Sequence, residues 1–198
     1  MDSRIIPKFY FLTSGAGIAE NKLTSFEFAL RDAGCERFNL VPVSSICPPD
    51  CEKIDKKAGI SNLNTGEIVY CVMCRKSVSV KNQKVAASVV RIKHKSWDYG
   101  YFIEHCNENS LKPTMEEATQ VAVNLMDTLD SKREYSEIPR IEEVFTVDED
   151  LIKPRRETKE LFVTRDIGDL NIDAVGHESE NNTDKKWMTV LATAVFIP

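Results

Sequence analysis

Apolar positions along this chain follow two periods, and the changes between them mark the elements. Pro7 to Thr13 carries Phe9, Tyr10, Phe11 and Leu12 in a row, which predicts a buried strand. Ser14-Gly15-Ala16-Gly17 then predicts a loop. No third glycine opens a helix there, so the motif is not a dinucleotide fingerprint. Phe26, Ala29, Leu30 and Ala33 recur at helical spacing, which predicts a helix from about Ser25 to Ala33 with Gly34 as its stop. Thr24 and Glu27 stand as a capping box would place them, with Leu23 and Phe28 as a flanking staple. Phe38 to Val43 predicts another strand, and Pro48 and Pro49 prevent its continuation.

Further strands are predicted at about 67–74, 84–92 and 99–105, with Asn82 marking a turn. A second helix is predicted from Thr114 to about Leu129. Thr114 and Glu117 form its capping box, and Ala118, Val121, Ala122, Leu125 and Leu129 its apolar stripe. From about 148 to 186 the chain is charged and weakly periodic, which predicts a mobile excursion carrying one strand at Leu161-Phe162-Val163. Arg155 and Arg156 read as part of a solvated charged loop. Trp187 to Phe196 is apolar with small residues interleaved, as in a central strand.

A length of 198 residues suits a single domain with a sizeable core. The formal net charge of -5 argues against a nucleic-acid partner. No apolar run of about 18 residues predicts a membrane span. Met1-Asp2-Ser3-Arg4 does not begin a signal peptide, so a cytoplasmic location is expected. The six cysteines are then expected as reduced thiols. Cys71 and Cys74 form a CxxC inside a predicted strand, with no second CxxC after it, so they read as structural. Cys47 and Cys51 flank the Pro-Pro turn and could complete a metal site with that pair. The expectation is no metal.

The stretch with the most specific content is Phe38-Asn39-Leu40-Val41-Pro42-Val43-Ser44-Ser45-Ile46-Cys47-Pro48-Pro49. A serine pair before a rigid turn has a bland explanation, since serines cap exposed backbone groups. The order Asn-Leu, short β segment, Ser-Ser, Pro-Pro is more demanding. It follows a helix ending in Ala33-Gly34 and precedes a strand holding Phe102-Ile103-Glu104. In this the chain resembles the pyruvoyl-dependent arginine decarboxylases over roughly residues 7–147 and the last strand. The resemblance implies an α+β fold, the αββα sandwich of the pyruvoyl-dependent histidine/arginine decarboxylase type. It also implies one domain over 1–198, self-cleaved into a 1–44 chain and a 45–198 chain, and a homotrimer with sites between subunits.

The implied chemistry assigns a reason to each residue type. The Ser45 hydroxyl attacks the carbonyl of Ser44, helped by a strained strand end that holds the peptide near attack geometry. A donor must stabilise the oxyanion, and the resemblance puts Asn39 in that neighbourhood. Elimination and hydrolysis then leave a pyruvoyl cofactor at position 45, an electron sink like pyridoxal. Glu104 matches the family's proton donor, in apolar surroundings that would favour its protonated form; the alternative is a surface strand carboxylate. Strand alternation places Phe102 and Glu104 on one face, Tyr101 and Ile103 on the other.

The substrate is a small-molecule amino acid, arginine first, with agmatine and carbon dioxide as products. Glu27 stands where the family receives the guanidinium, and Leu23, Phe38 and Ile46 line the same implied pocket. Glu27 also has its capping role, and a carboxylate accepts a simple ammonium as well. Another basic or small amino acid, or an unprocessed non-catalytic family member, are the alternatives. His94, His105 and His177 are scattered and receive no role.

Overall fold

The computed structural model describes residues 5–130, 152–155 and 158–198. In chain order the elements are β1 (Phe9–Ala19), α1 (Lys22–Ala33), β2 (Asn39–Pro42), β3 (Ile46–Cys47), β4 (Glu52–Lys53), α2 (Lys56–Ser61) and β5 (Ile68–Val78). There follow β6 (Lys84–His94), β7 (Gly100–Asn107), α3 (Leu111–Asp130), β8 (Lys153–Arg155), β9 (Thr158–Ile167), β10 (Leu170–Glu180) and β11 (Trp187–Ile197). Among the described residues they form a five-stranded sheet, β2-β5-β11-β1-β4, and a six-stranded sheet, β3-β7-β6-β10-β9-β8.

Three apolar clusters define four layers. Tyr10, Leu12, Val72, Val89, Phe102, Val175, Val190 and Phe196 fill the space between the sheets. Phe11, Ala29, Ala33, Leu191 and Val195 join α1 to the outer face of the first sheet. Leu111, Met115, Ala118, Met126, Val90 and Ile172 join α3 to the outer face of the second. Alternation along β1 explains the division, since Tyr10 and Leu12 face one core and Phe11 the other. The fold is the αββα sandwich that the resemblance implies.

Ser14-Gly15-Ala16-Gly17 is not the expected loop but the middle of β1. A Cβ on Gly15 would lie 2.3 Å from the Ala29 carbonyl oxygen, and one on Gly17 would lie 2.4 Å from that of Ser25. The glycines let the α1 backbone rest directly on the strand.

Both expected capping boxes are absent. α1 starts earlier, at Asn21, whose side chain accepts from the Thr24 amide at 2.9 Å. Thr24 is therefore inside the helix, and Leu23, 77% exposed, staples nothing within the protomer. α3 starts at Leu111, whose amide donates to the buried Glu178 carboxylate at 2.7 Å. Its buried stripe runs through Leu111, Met115, Ala118, Ala122 and Met126, while Val121 and Leu125 face outward. The Leu129 side chain lies outside the described residues.

The largest correction concerns about 148–186. Within the described part, β9 and β10 are long paired strands of the second sheet, and β10 sits between β6 and β9. The segment is no excursion. Polar residues fill it because the fold partners them, as the buried Asp173, His177 and Glu178 demonstrate below. Residues 148–151 and Arg156 lie outside the described residues, as do Met1–Arg4, on which the leader expectation rested.

Candidate active site

The chain changes sheets at the serine pair. β2 runs parallel to β5 in the first sheet, from Asn39 beside Ile68 to Pro42 beside Cys71, and the Val43 amide extends the ladder to the Cys71 carbonyl at 2.9 Å. β3 pairs with β7 in the second sheet, Ile46 opposite Tyr101 and Cys47 opposite Gly100. Ser44 and Ser45 bridge the two. The Phe102 amide donates to the Ser45 carbonyl at 2.8 Å, and the Ile46 amide donates to the Ser44 carbonyl at 2.9 Å. That second bond, from residue i+2 to i, closes a γ-turn around Ser45. Ser45 is not among the positive-φ residues, and no described peptide bond is cis. The serine pair is held by hydrogen bonds to the second sheet, while Val43 just before it is tied to the first.

The side chains complete the site. The Ser45 hydroxyl donates to Glu104 Oε2 at 3.0 Å. Glu104 comes from β7, two residues after the amide that anchors the Ser45 carbonyl, so one strand fixes both contacts. Phe102 packs between the sheets against Tyr10 and Phe196. Glu104 shares that strand face, as expected, but lies beyond the apolar core and is exposed in the protomer. The apolar surroundings expected for it are not supplied by its own chain.

Of the remaining candidates, Ile46 adjoins the pair, and the others make their contacts elsewhere. The Asn39 side-chain amide donates to the Gly66 carbonyl at 2.6 Å. Five residues at about 3.3 Å each separate it from Ser44 along an extended segment, far beyond hydrogen-bond reach. The donor that meets the Ser44 carbonyl is the Ile46 amide, which side-chain reasoning could not find. Glu27 lies on α1 and pairs with Arg31 at 3.1 Å. Phe38 is buried under α1, with the Arg37 guanidinium over its ring, while Ile46 is 44% exposed beside Ser45. Leu23 lines a separate cleft of about 600 Å³ with Lys22, Phe26, Arg75 and Lys76.

The CxxC has a simple geometric outcome. β5 turns Cys71 toward the α1 core and Cys74 toward the inter-sheet core, so the two cannot share a ligand. Burial raises the Cys71 thiol to about 11.

The site is thus a serine–carboxylate pair at a sheet-to-sheet crossing of a four-layer α+β sandwich. The sequence profile described as pyruvoyl-dependent arginine decarboxylase matches residues 9–198. A protein of Methanocella arvoryzae named pyruvoyl-dependent arginine decarboxylase is 36% identical over 199 residues, covering 100% of this chain and 99% of that one. Pyruvoyl-dependent arginine decarboxylase 2 of Archaeoglobus fulgidus is 44% identical over 129 residues, covering 65% of this chain and 82% of its own. This chain belongs to the pyruvoyl-dependent arginine decarboxylase family. Among the described residues no helix is long and apolar enough to cross a membrane.

Proposed function

We propose that this protein cleaves its own Ser44–Ser45 bond, converts residue 45 to a pyruvoyl group and decarboxylates L-arginine to agmatine in the cytoplasm. The contact that carries the reading is Ser45 Oγ to Glu104 Oε2 at 3.0 Å. The Glu104 carboxylate takes the hydroxyl proton as Ser45 Oγ bonds to the Ser44 carbonyl carbon. The Ile46 amide stabilises the developing oxyanion, and the C–N bond breaks as the Ser45 nitrogen takes the proton from Glu104, giving an ester and a free amine. Loss of the Ser45 α-proton expels the Ser44 carboxylate and leaves a dehydroalanine. Addition of water and loss of ammonia then give the pyruvoyl end.

The surrounding residues fit such a group at position 45. The Ser45 carbonyl survives the cleavage, and the Phe102 amide continues to hold it. Once formed, the ketone supplies the electron sink for loss of carbon dioxide. Glu104, already beside the Ser45 side chain, returns a proton to the substrate α-carbon.

Glu27 is paired with Arg31, Leu23 lines another cleft and Asn39 is engaged with Gly66. Exposed Leu23, Val41, Val43, Ile46 and Ile68 supply apolar surface for association. Both facts support a homotrimer in which these residues face a neighbour's residue 45, while Glu104 serves its own. Glu27 receives the guanidinium in this reading. Its engagement with Arg31 favours, as a second reading, a shorter or less basic amino acid.

Denaturing mass spectrometry and carbon dioxide release over a panel of amino acids test the proposal. A 1–44 chain, a blocked 45–198 chain and release from arginine are expected. An intact chain with an unmodified Ser45 would sink the proposal, and release from a different amino acid would transfer it to that substrate.

A further inference from the structure

A cleft of about 520 Å³ opens at one end of the inter-sheet space, between β4 of the first sheet and β6, β10 and β9 of the second. Ser45 and Glu104 do not line it. Its inner wall is cationic. Arg91 and Lys93 stand two residues apart on one face of β6, and Lys53 reaches in from β4 to Asp173. We propose that this cleft binds the phosphate group of a small phosphomonoester.

The charges on the inner wall do not cancel. Asp173 is its buried carboxylate, and four donors already hold it. Oδ2 accepts from Tyr10 at 2.6 Å and from Arg91 at 3.3 Å, while Oδ1 accepts from Lys53 at 2.7 Å and from Thr164 at 2.8 Å. Lys93 makes no ion pair or hydrogen bond among the described residues. Three cations against one carboxylate leave an excess of about two positive charges, which suits a phosphomonoester at neutral pH better than a carboxylate. Asp50 and Glu52 complete the rim, where both are exposed and screened by solvent.

Arg91 is the sharper pointer. It is 7% exposed, and both its hydrogen bonds leave from Nη1, to Asn171 and to Asp173. Its Nε has no hydrogen-bond partner among the described residues. A buried donor without an acceptor is costly, and a guanidinium fork matches phosphate oxygens. Asn171 and Asp173 fix the guanidinium before any ligand arrives, so little ordering remains to oppose binding. The cleft has the size of an organic ligand's pocket, which leaves room beside the phosphate for the rest of an ester.

The proposal does not rest on self-cleavage or decarboxylation, and its test reads binding alone. The full-length protein is titrated calorimetrically at low ionic strength with glycerol 3-phosphate and, separately, with inorganic phosphate. Glycerol 3-phosphate is expected to bind in the millimolar range or tighter, and inorganic phosphate more weakly. Lys93→Met should weaken both about tenfold while keeping the wild-type unfolding midpoint, and added sodium chloride should weaken both as well. Lys84→Met, at the other end of β6, should change neither. Tighter binding of inorganic phosphate would overturn the assignment to an ester. No binding of either probe, or equal losses in Lys84→Met and Lys93→Met, would overturn the site itself.

Discussion

Two carboxylates sit at the junction of the sheets, each beside a hydroxyl, with opposite fates. Asp173, 3% exposed, accepts from the Tyr10 hydroxyl at 2.6 Å, from Lys53 at 2.7 Å and from Thr164 at 2.8 Å, and it pairs with Arg91 at 3.3 Å. Burial alone would raise its carboxyl, but hydrogen bonds from Lys53 and Tyr10 and the Lys53 charge outweigh it and hold it below the usual range. Glu104 accepts from the Ser45 hydroxyl and stays open to solvent. The saturated carboxylate holds the sheets together. The open one retains acceptor capacity. Saturation, more than residue type, separates scaffold from chemistry here.

Variants should separate the two roles. Ser45→Ala is expected to have the largest effect: an uncut chain by mass and no carbon dioxide release, with an unchanged unfolding midpoint. Asp173→Ala should do the reverse, lowering stability in urea by about 3–5 kcal/mol because it leaves Arg91 and Lys53 beside an empty acceptor position. Glu104→Gln should cost about 10²-fold or more in turnover per cleaved chain while leaving stability within about 0.5 kcal/mol.

The pH dependence has a fixed sign. Asp173 has a folded pKa below its unfolded value of about 3.9, so its contribution is complete above that value and is lost as pH falls through the folded one. Below about pH 4 the wild type should therefore lose stability more steeply than Asp173→Asn, as followed by the unfolding midpoint. The smallest effect belongs to the exposed Glu27–Arg31 pair, where Arg31→Ala should cost no more than about 0.5 kcal/mol.

Apolar runs made most strands legible, and the serine pair with its prolines located the crossing. Glu104 became a candidate through the resemblance, and alternation correctly placed it on the β7 face of Phe102. β10 escaped because its interior positions include Asp173, His177, Glu178 and Ser179. Three of them are buried beside partners from distant elements: Tyr10 and Lys53 for Asp173, Ser14 for His177 at 3.1 Å, the Leu111 amide for Glu178. No local pattern encodes a partner 67 or 163 residues away. The same limit hid the Ile46 amide, a backbone donor whose position depends on β3 joining β7. The capping boxes failed differently. Asn21 is as good a cap as Thr24, and local spacing could not choose between them.

The sheet-to-sheet crossing has a consequence for assembly. If the Ser44–Ser45 bond is cut as proposed, residues 1–44 still supply β1, and its eleven-residue ladder with β11 lies inside the first sheet. The small chain is retained as a central strand although nothing covalent ties it. Unfolding then becomes a dissociation, and recovery becomes a second-order encounter between two fragments, slower in dilute solution. The uncut chain folds by a unimolecular route that the mature protein no longer has. A cleaved form would thereby carry a covalent record of having folded.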